Sequence, residues 1–259
     1  MVLANHTAIV TGGGSGIGKE CVRLFAESGA NVVIADWNEA EANRVAEEIN
    51  NQHASLNRSP RAIAVRTDVS KVKDVELLVA KTLETYGGID VLLNNAAVIL
   101  PKHLEEIDEA EFDKVVAVNL KGVFLVTKHA IPFIKRNQGT IVNMASLNGL
   151  VGQRQNPVYA ATKGGVIAMT KSLALDYAAD GVRVNCVCPA GVMTPLLQEW
   201  TQMQDDPAMT VQALNDMHPL GRPAKPEEVA QVVLYLASSQ SAFITGTALP
   251  VDGGASLGY

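Results

Sequence analysis

Tyr159 and Lys163 stand four positions apart, and Ser146 lies 13 residues before the tyrosine. On a helix this spacing puts the phenol and the ammonium on one face, one turn from each other. A phenol ionises near pH ~10 in water, which makes it a poor base at neutral pH. An ammonium a few ångström away favours the phenolate and draws it toward the working range, so the pair suits proton transfer. Ser146 follows an apolar run, Thr140-Ile-Val-Asn-Met-Ala145, that reads as a buried strand. A hydroxyl at a strand end, facing a tyrosine at the start of the next helix, can hold a carbonyl or alcohol oxygen. Tyr-x-x-x-Lys alone is also an ordinary helix-surface pair, so its meaning depends on what surrounds it.

A second constellation opens the chain. Thr11-Gly12-x-x-x-Gly16-x-Gly18 sits between a strand and a helix. Glycines there allow a tight turn and let a pyrophosphate approach the amides of a helix N-terminus. Ser15 and Ile17 belong to the same turn. Asp36, 18 positions past Gly18, closes the second strand. Its carboxylate can accept from an adenosine ribose hydroxyl and would repel a 2′-phosphate. Trp37 and Asn38 follow it and are not basic, so NAD is favoured over NADP. The same placement is compatible with Asp36 as N-cap of the next helix. Asp68 and Val69 close the third strand, where they can bracket the adenine. Asn95 and Ala96, after Asn94 at the end of the fourth strand, suit backbone contact with the cofactor.

The elements that position these groups alternate from end to end. Strands read at Thr7–Thr11, Val32–Asp36, Arg61–Arg66, Ile89–Asn94, Gly139–Met144, Val182–Cys188 and Thr247–Val251. Helices read to about Ser28, over Glu39–Asn51, Val72–Tyr86, Ile107–Lys135, Pro157–Ala179 and Pro226–Ser238, with a polar loop over Gln52–Pro60. Apolar strands alternating with helices predict an α/β fold: one doubly wound, Rossmann-like, seven-stranded parallel sheet covered by helices on both faces. No repeat or linker divides residues 1–259, so one domain is expected. Its site lies at the strand C-terminal edge, where Gly12, Asp36, Asp68, Asn94, Ser146 and Pro189 gather. A looser segment, Pro195–Pro219, holds Met203, Met209, Met217 and Trp200 and reads as a substrate lid.

Composition narrows the partners. Hydrophobic residues make up 47% of the chain and charged ones 19%, ample for a core. The net charge of −6 disfavours nucleic acid and anionic membrane surfaces. No apolar run approaches the ~18 residues of a membrane span, and the N-terminus enters the first strand without a leader. Cys21, Cys186 and Cys188 are too few and too close for a disulfide framework, which points to a reducing, cytoplasmic setting. The five histidines show no metal-ligand spacing, so no metal site is expected.

Taken together, these residues resemble the short-chain dehydrogenase/reductase family, from Thr7 to Gly254. The matching positions are the Thr11–Gly18 turn, Asp36, Asp68, Asn94-Asn95-Ala96, Asn119, Ser146, Tyr159, Lys163, Pro189 through Thr194, and Val251-Asp-Gly-Gly254. The resemblance implies that Tyr159 is the acid/base, that Lys163 lowers its pKa and binds the nicotinamide ribose, and that Ser146 orients the substrate oxygen. It further implies that Asn119 holds a proton-relaying water and that Val192 and Thr194 hold the carboxamide. The chain departs from the family where Ala97 and Ala190 replace common glycines, each adding a methyl beside the cofactor.

The expected reaction interconverts a secondary alcohol and a ketone by hydride transfer. Between Ser146 and Tyr159 the loop carries Gln153, Arg154, Gln155 and Asn156. Gln153 and Arg154 are candidate substrate residues, the guanidinium for a carboxylate. They favour a small polar hydroxy compound such as a sugar, sugar acid or polyol. A 3-oxoacyl thioester reductase is disfavoured by Asp36 and the negative charge. An apolar alcohol such as a steroid is kept open by the methionines of the lid. A catalytically silent nucleotide-binding regulator would be expected to lack one of Ser146, Tyr159 or Lys163. Long apolar helices at Ile107–Lys135 and Pro157–Ala179, with the resemblance, imply a homotetramer.

Overall fold

The structure is a computed structural model that describes residues 1–55 and 61–257, without the side chains of Leu196 and Trp200. Strands β1 (Thr7–Thr11), β2 (Asn31–Asp36), β3 (Ala62–Arg66), β4 (Val91–Asn94), β5 (Thr140–Met144), β6 (Arg183–Pro189) and β7 (Ala248–Val251) form one sheet in the order β3-β2-β1-β4-β5-β6-β7. Every pairing is parallel. Helices α1 (Gly16–Glu27), α2 (Glu39–Ser55), α3 (Val72–Tyr86), α4 (Glu109–Val116), α5 (Gly122–Arg136), α6 (Pro157–Tyr177), α7 (Pro195–Gln202), α8 (Pro207–Asp216) and α9 (Pro226–Ala237) surround it.

The register explains why apolar runs rather than alternating ones build these strands. Ile9 pairs with Val33 and Leu92, and this row packs under α3 and α5 through Val75, Leu78, Val126 and Ile134. Val10 pairs with Ile34 and Leu93, and that row packs under α1 and α9 through Val22, Phe25, Val233 and Leu236. Successive side chains point to opposite faces, and both faces are covered, so apolar residues dominate, and the buried exceptions Asn94, Asn143 and Asn185 are hydrogen-bonded.

Two boundaries differ from the sequence reading. α2 runs on to Ser55 because buried His53 carries its packed face one turn further, so 52–55 are helical; positions 56–60 of the expected polar loop lie outside the described residues. The helical stretch expected from Ile107 begins at Glu109, where Asp108 caps it by accepting from Glu111 N at 2.8 Å. Between α4 and α5 the backbone turns π-helical over Ala117–Lys121, a feature often found at functional sites. By length and composition alone the stretch Glu109–Arg136 could cross a membrane, but half of its apolar portion is buried in the fold. Among the described residues no other helix meets that test.

Candidate active site

The sheet order reverses between β1 and β4, and the loops at that edge enclose a cavity of about 930 Å³. Of the expected site residues, Gly12, Ser15, Gly16, Ile17, Asp36, Trp37, Asp68, Val69, Asn95, Ala96, Ser146, Gln153, Tyr159, Lys163, Pro189, Val192 and Thr194 line it, as do Ala97 and Ala190. Gly18, Asn119 and Arg154 do not.

At the nucleotide end the reason for glycine is steric. A Cβ on Gly18 would sit 2.0 Å from the Gly12 carbonyl oxygen, so Gly18 shapes the turn from behind rather than lining it. Gly12 has φ +63°, and a Cβ there would meet the Ala96 Cα at 2.9 Å. The turn is stapled to β4 by groups whose role the sequence reading missed. Asn95 Nδ2 donates to the Thr11 and Gly12 carbonyls at 3.0 Å each, and Thr11 Oγ1 accepts from Asn95 N and Ala96 N. Asp36 does not cap α2. Its Oδ2 accepts from Gly14 N at 2.9 Å and its Oδ1 from Asn38 N at 3.0 Å, while Asn38 Oδ1 accepts from Glu41 N in the first turn of α2. The carboxylate therefore pins the glycine turn to the end of β2. Asp68 accepts from Ser70 N and Oγ; burial raises its carboxyl, but these bonds with the Lys71 and Arg66 charges leave it below its usual value.

At the other end, Pro157 starts α6, which faces Tyr159 and Lys163 toward Ser146. Buried Lys163 donates from Nζ to the Met144 carbonyl at 2.7 Å, and Nζ lies 5.5 Å from the centre of the Tyr159 ring. Burial lowers its ammonium to about 8, against a smaller opposing effect of Cys188 and Cys186. Burial pushes the Tyr159 phenol above its usual value, and a hydrogen bond with Ser146 pulls it partly back. Here the expectation of a phenol already lowered by the lysine fails. Removing water raises the phenol more than its neighbours lower it, and the ammonium is turned to Met144. Ser146 Oγ accepts from Asn148 N at 3.2 Å and points its own hydrogen toward the Pro189 carbonyl at 3.5 Å.

Asn119 is buried behind this group in the π-helical stretch. Its amide is taken up by Val98, accepting from Val98 N at 2.8 Å and donating to Val98 O at 2.9 Å. This fixes the segment after β4, which lines the cavity through Val98 and Ile99. Arg154 is exposed outside the cavity because the loop turns there: Gln155 has φ +60° and donates its amide to His103 Nε2 at 3.0 Å. The guanidinium is thus not placed to meet a substrate carboxylate.

The lid segment is helical, as α7 and α8. Leu197, Leu214 and Met217 line the cavity, whereas Met203 and Met209 face solvent and Trp200 lies outside the described side chains. His218, given no role by the sequence reading, ties this lid to the loop after β6. Its Nε2 accepts from Gly191 N at 3.1 Å and its Nδ1 donates to the Leu214 carbonyl at 2.7 Å.

Residues 12–256 match a family model described as enoyl-(acyl carrier protein) reductase. L-fucose dehydrogenase of Bos taurus is 42% identical over 257 residues, 99% of this chain and 91% of that protein. The chain belongs to the short-chain dehydrogenase/reductase family. Meso-2,3-butanediol dehydrogenase of Serratia marcescens is 40% identical, covering 97% of this chain and 94% of that protein. The crystal structure of 3-ketoacyl-(acyl-carrier-protein) reductase from Brucella melitensis complexed with NADH superposes with a TM-score of 0.87 at 38% identity, over 98% of this chain and 99% of that one. As a member of the short-chain dehydrogenase/reductase family the chain is an oxidoreductase that works with a nicotinamide dinucleotide. The residues present fit such a group: Gly12, Ser15, Gly16 and Ile17 line the cavity at the start of α1, and a Cβ on Gly16 would project to 3.3 Å from Thr194 Cγ2. Among the described residues no cluster of potential metal ligands accompanies it.

Proposed function

We propose that the protein is an NAD-dependent dehydrogenase that interconverts a secondary alcohol and a ketone on a small polar hydroxy compound. The observation that carries this is the convergence of Ser146, Tyr159 and Lys163 in one cavity with the Asp36 carboxylate at its far end. Asp36 is buried, receives two backbone amides and has no basic neighbour at Trp37 or Asn38, which favours a free ribose diol over a 2′-phosphate. Bound there, the nicotinamide supplies the site that accepts or donates hydride.

Tyr159 moves the proton. Its hydroxyl, in contact with Ser146, takes the alcohol proton during oxidation and returns it during reduction. Ser146 is held by Asn148 N so that its hydroxyl can donate to the substrate oxygen as charge develops. Lys163, buried and anchored on Met144 O, supplies the positive charge that favours the phenolate. Asn119 fixes Val98 from the π-helical stretch, and the water-holding role that the family resemblance implies falls to it.

Asn148, Gln153 and Asn156 line the cavity together with Ile99, Leu214 and Met217. That supports a polyhydroxylated substrate with an apolar part, and it accords with the sugar and diol named for the two relatives. Exposed Phe112, Phe124 and Leu175 on α4, α5 and α6 support a homotetramer pairing those helices. Three free, buried cysteines are in keeping with a cytoplasmic setting. The test is NADH absorbance on mixing the protein with NAD and a panel of sugars, polyols, hydroxy acids and steroids. Tyr159→Phe is expected to lose about 10²–10⁴-fold in kcat while still binding NADH; wild-type kcat in that variant would remove the assignment.

A further inference from the structure

Asn148 and Gln153 stand on the same wall of the cavity, and Asn148 Nδ2 donates to Gln153 Oε1. Asn148 is also tied to the chemistry, because its backbone N–H holds Ser146 Oγ at 3.2 Å. A hydrogen bond between two side-chain amides has a property that does not depend on which way either is turned. One amide spends a donor and the other an acceptor, so the pair keeps one carbonyl oxygen and one NH₂ with no partner among the described residues. Turning both amides over exchanges the two without changing the set. The two residues therefore bring one free acceptor and one free donor to the cavity, on the loop that follows Ser146.

A hydroxyl is the neutral group that uses both at once, donating to the carbonyl and accepting from the NH₂. A carboxylate accepts only, and would leave the free carbonyl facing an anion; a methylene would leave both groups desolvated and unpaired. Arg154, the cation of this loop, is exposed and does not line the cavity; the cations that do, Lys114 and Lys163, belong to α4 and α6.

We propose that the Asn148–Gln153 pair is the specificity determinant for a second, uncharged hydroxyl on the carbon adjacent to the one oxidised, so that the substrate class is a neutral vicinal diol or its cyclic sugar equivalent. The proposal rests on the dehydrogenase reading above. The adjacent carbon is the one assigned because Asn148 lies two residues from Ser146 and lines the same cavity.

The experiment measures kcat/KM with NAD for meso-2,3-butanediol and for 2-butanol, which lacks the second hydroxyl, in wild type, Asn148→Leu, Gln153→Leu and the double variant. The readout is the diol-to-alcohol ratio. It is expected to exceed roughly tenfold in wild type and to fall by roughly tenfold in either single variant, since each loses one side of the hydrogen-bonded hydroxyl. The double variant is expected to fall little further, because the pair acts as a unit. NADH binding by fluorescence separates this from misfolding, and Gln153→Asn, which keeps the amide, should restore part of the ratio. A ratio that is the same in wild type and variants overturns the pair while leaving the dehydrogenase reading intact, and so does faster turnover of a 2-hydroxy acid than of the diol in wild type. Failure of wild type to reduce NAD with any alcohol, diol, sugar or hydroxy acid overturns both.

Discussion

Replacing Lys163 by methionine separates what the lysine does for chemistry from what it costs the fold. The ammonium titrates at about 8 in the folded chain, against an ordinary 10.5, chiefly because it is buried. Between those two values the unfolded chain binds more protons than the folded one, so the lysine's contribution to stability rises with pH across that window. Below pH ~8 the folded protein carries the full penalty of a buried charge. The whole difference corresponds to about 3 kcal/mol, of which about 2 kcal/mol is recovered between pH ~7 and pH ~9.5. Methionine fills similar space and cannot titrate; it leaves the Met144 carbonyl unpaired at a cost of about 1–3 kcal/mol that does not vary with pH. Urea unfolding of both proteins at the two pH values reads the effect, because titrating groups that do not feel the Lys163 charge cancel in the difference. Wild type should gain about 2 kcal/mol on Lys163→Met as the pH is raised, while the variant loses about 10²-fold or more in kcat. A difference that stays flat with pH would show that the ammonium is not held down by burial.

Gly18→Ala places a methyl 2.0 Å from the Gly12 oxygen, so the turn must open. NADH affinity by fluorescence titration should weaken about tenfold or more, with roughly 1–3 kcal/mol lost in thermal melts, and an unchanged Kd would refute the steric argument. Asp36→Ala removes the acceptor of Gly14 N and Asn38 N. The ratio of kcat/KM for NAD over NADP should fall by about tenfold or more, and preserved discrimination would move the selectivity elsewhere. His218→Phe keeps a ring but frees Gly191 N and the Leu214 carbonyl. KM for cofactor and for substrate should both rise by roughly 2–10-fold with a smaller change in kcat; an effect on only one of them would mean that the imidazole does not couple lid and loop.

Legibility in the sequence followed the range of the interaction that decides each feature. The strands were readable because parallel strands covered on both faces are mostly apolar on successive positions, as Ile9 and Val10 are. Gly12, Gly16 and Gly18 were readable because a turn between strand and helix excludes a Cβ by local sterics. Tyr159 and Lys163 were brought together by spacing, since an i to i+4 pair shares a helix face wherever that helix lies, and Ser146 by its place at a strand end; all three line one cavity. What escaped was set by contacts distant in sequence or by the direction of one side chain. Asn95 grips Thr11 and Gly12 across 83 residues and more, and His218 meets Gly191 across 27. Nothing local marks either as a staple. Arg154 and Gln153 are neighbours in the same polar loop, yet only Gln153 enters the cavity, because the loop turns at Gln155, a non-glycine residue with positive φ. The effect of Lys163 on Tyr159 was misjudged for a related reason. Spacing gives proximity but not burial, and burial is the larger influence on both groups.

On the proposed function, with Tyr159 as the acid/base, that balance bears on how the site works in two directions. Burial drives the phenol and the ammonium each toward its neutral form, so the residues by themselves keep the proton on Tyr159. A neutral phenol is the form that can donate to an oxygen gaining charge as a carbonyl becomes an alcohol. The opposite reaction needs the phenolate, which Lys163 favours only while it carries its charge, and near pH 8 its charged and neutral forms coexist. Raising the pH thus frees the phenol of its proton and at the same time withdraws the charge that steadies the phenolate. The two effects oppose each other, which confines efficient oxidation to a window rather than letting it rise without limit. Oxidation also releases a proton overall, so each step up in pH moves the equilibrium tenfold toward the ketone whatever the residues do. The protein's contribution is to keep one proton carrier, Tyr159, in contact with Ser146 and to exclude water around it. Proton activity and the state of the cofactor pool then decide which way the proton crosses.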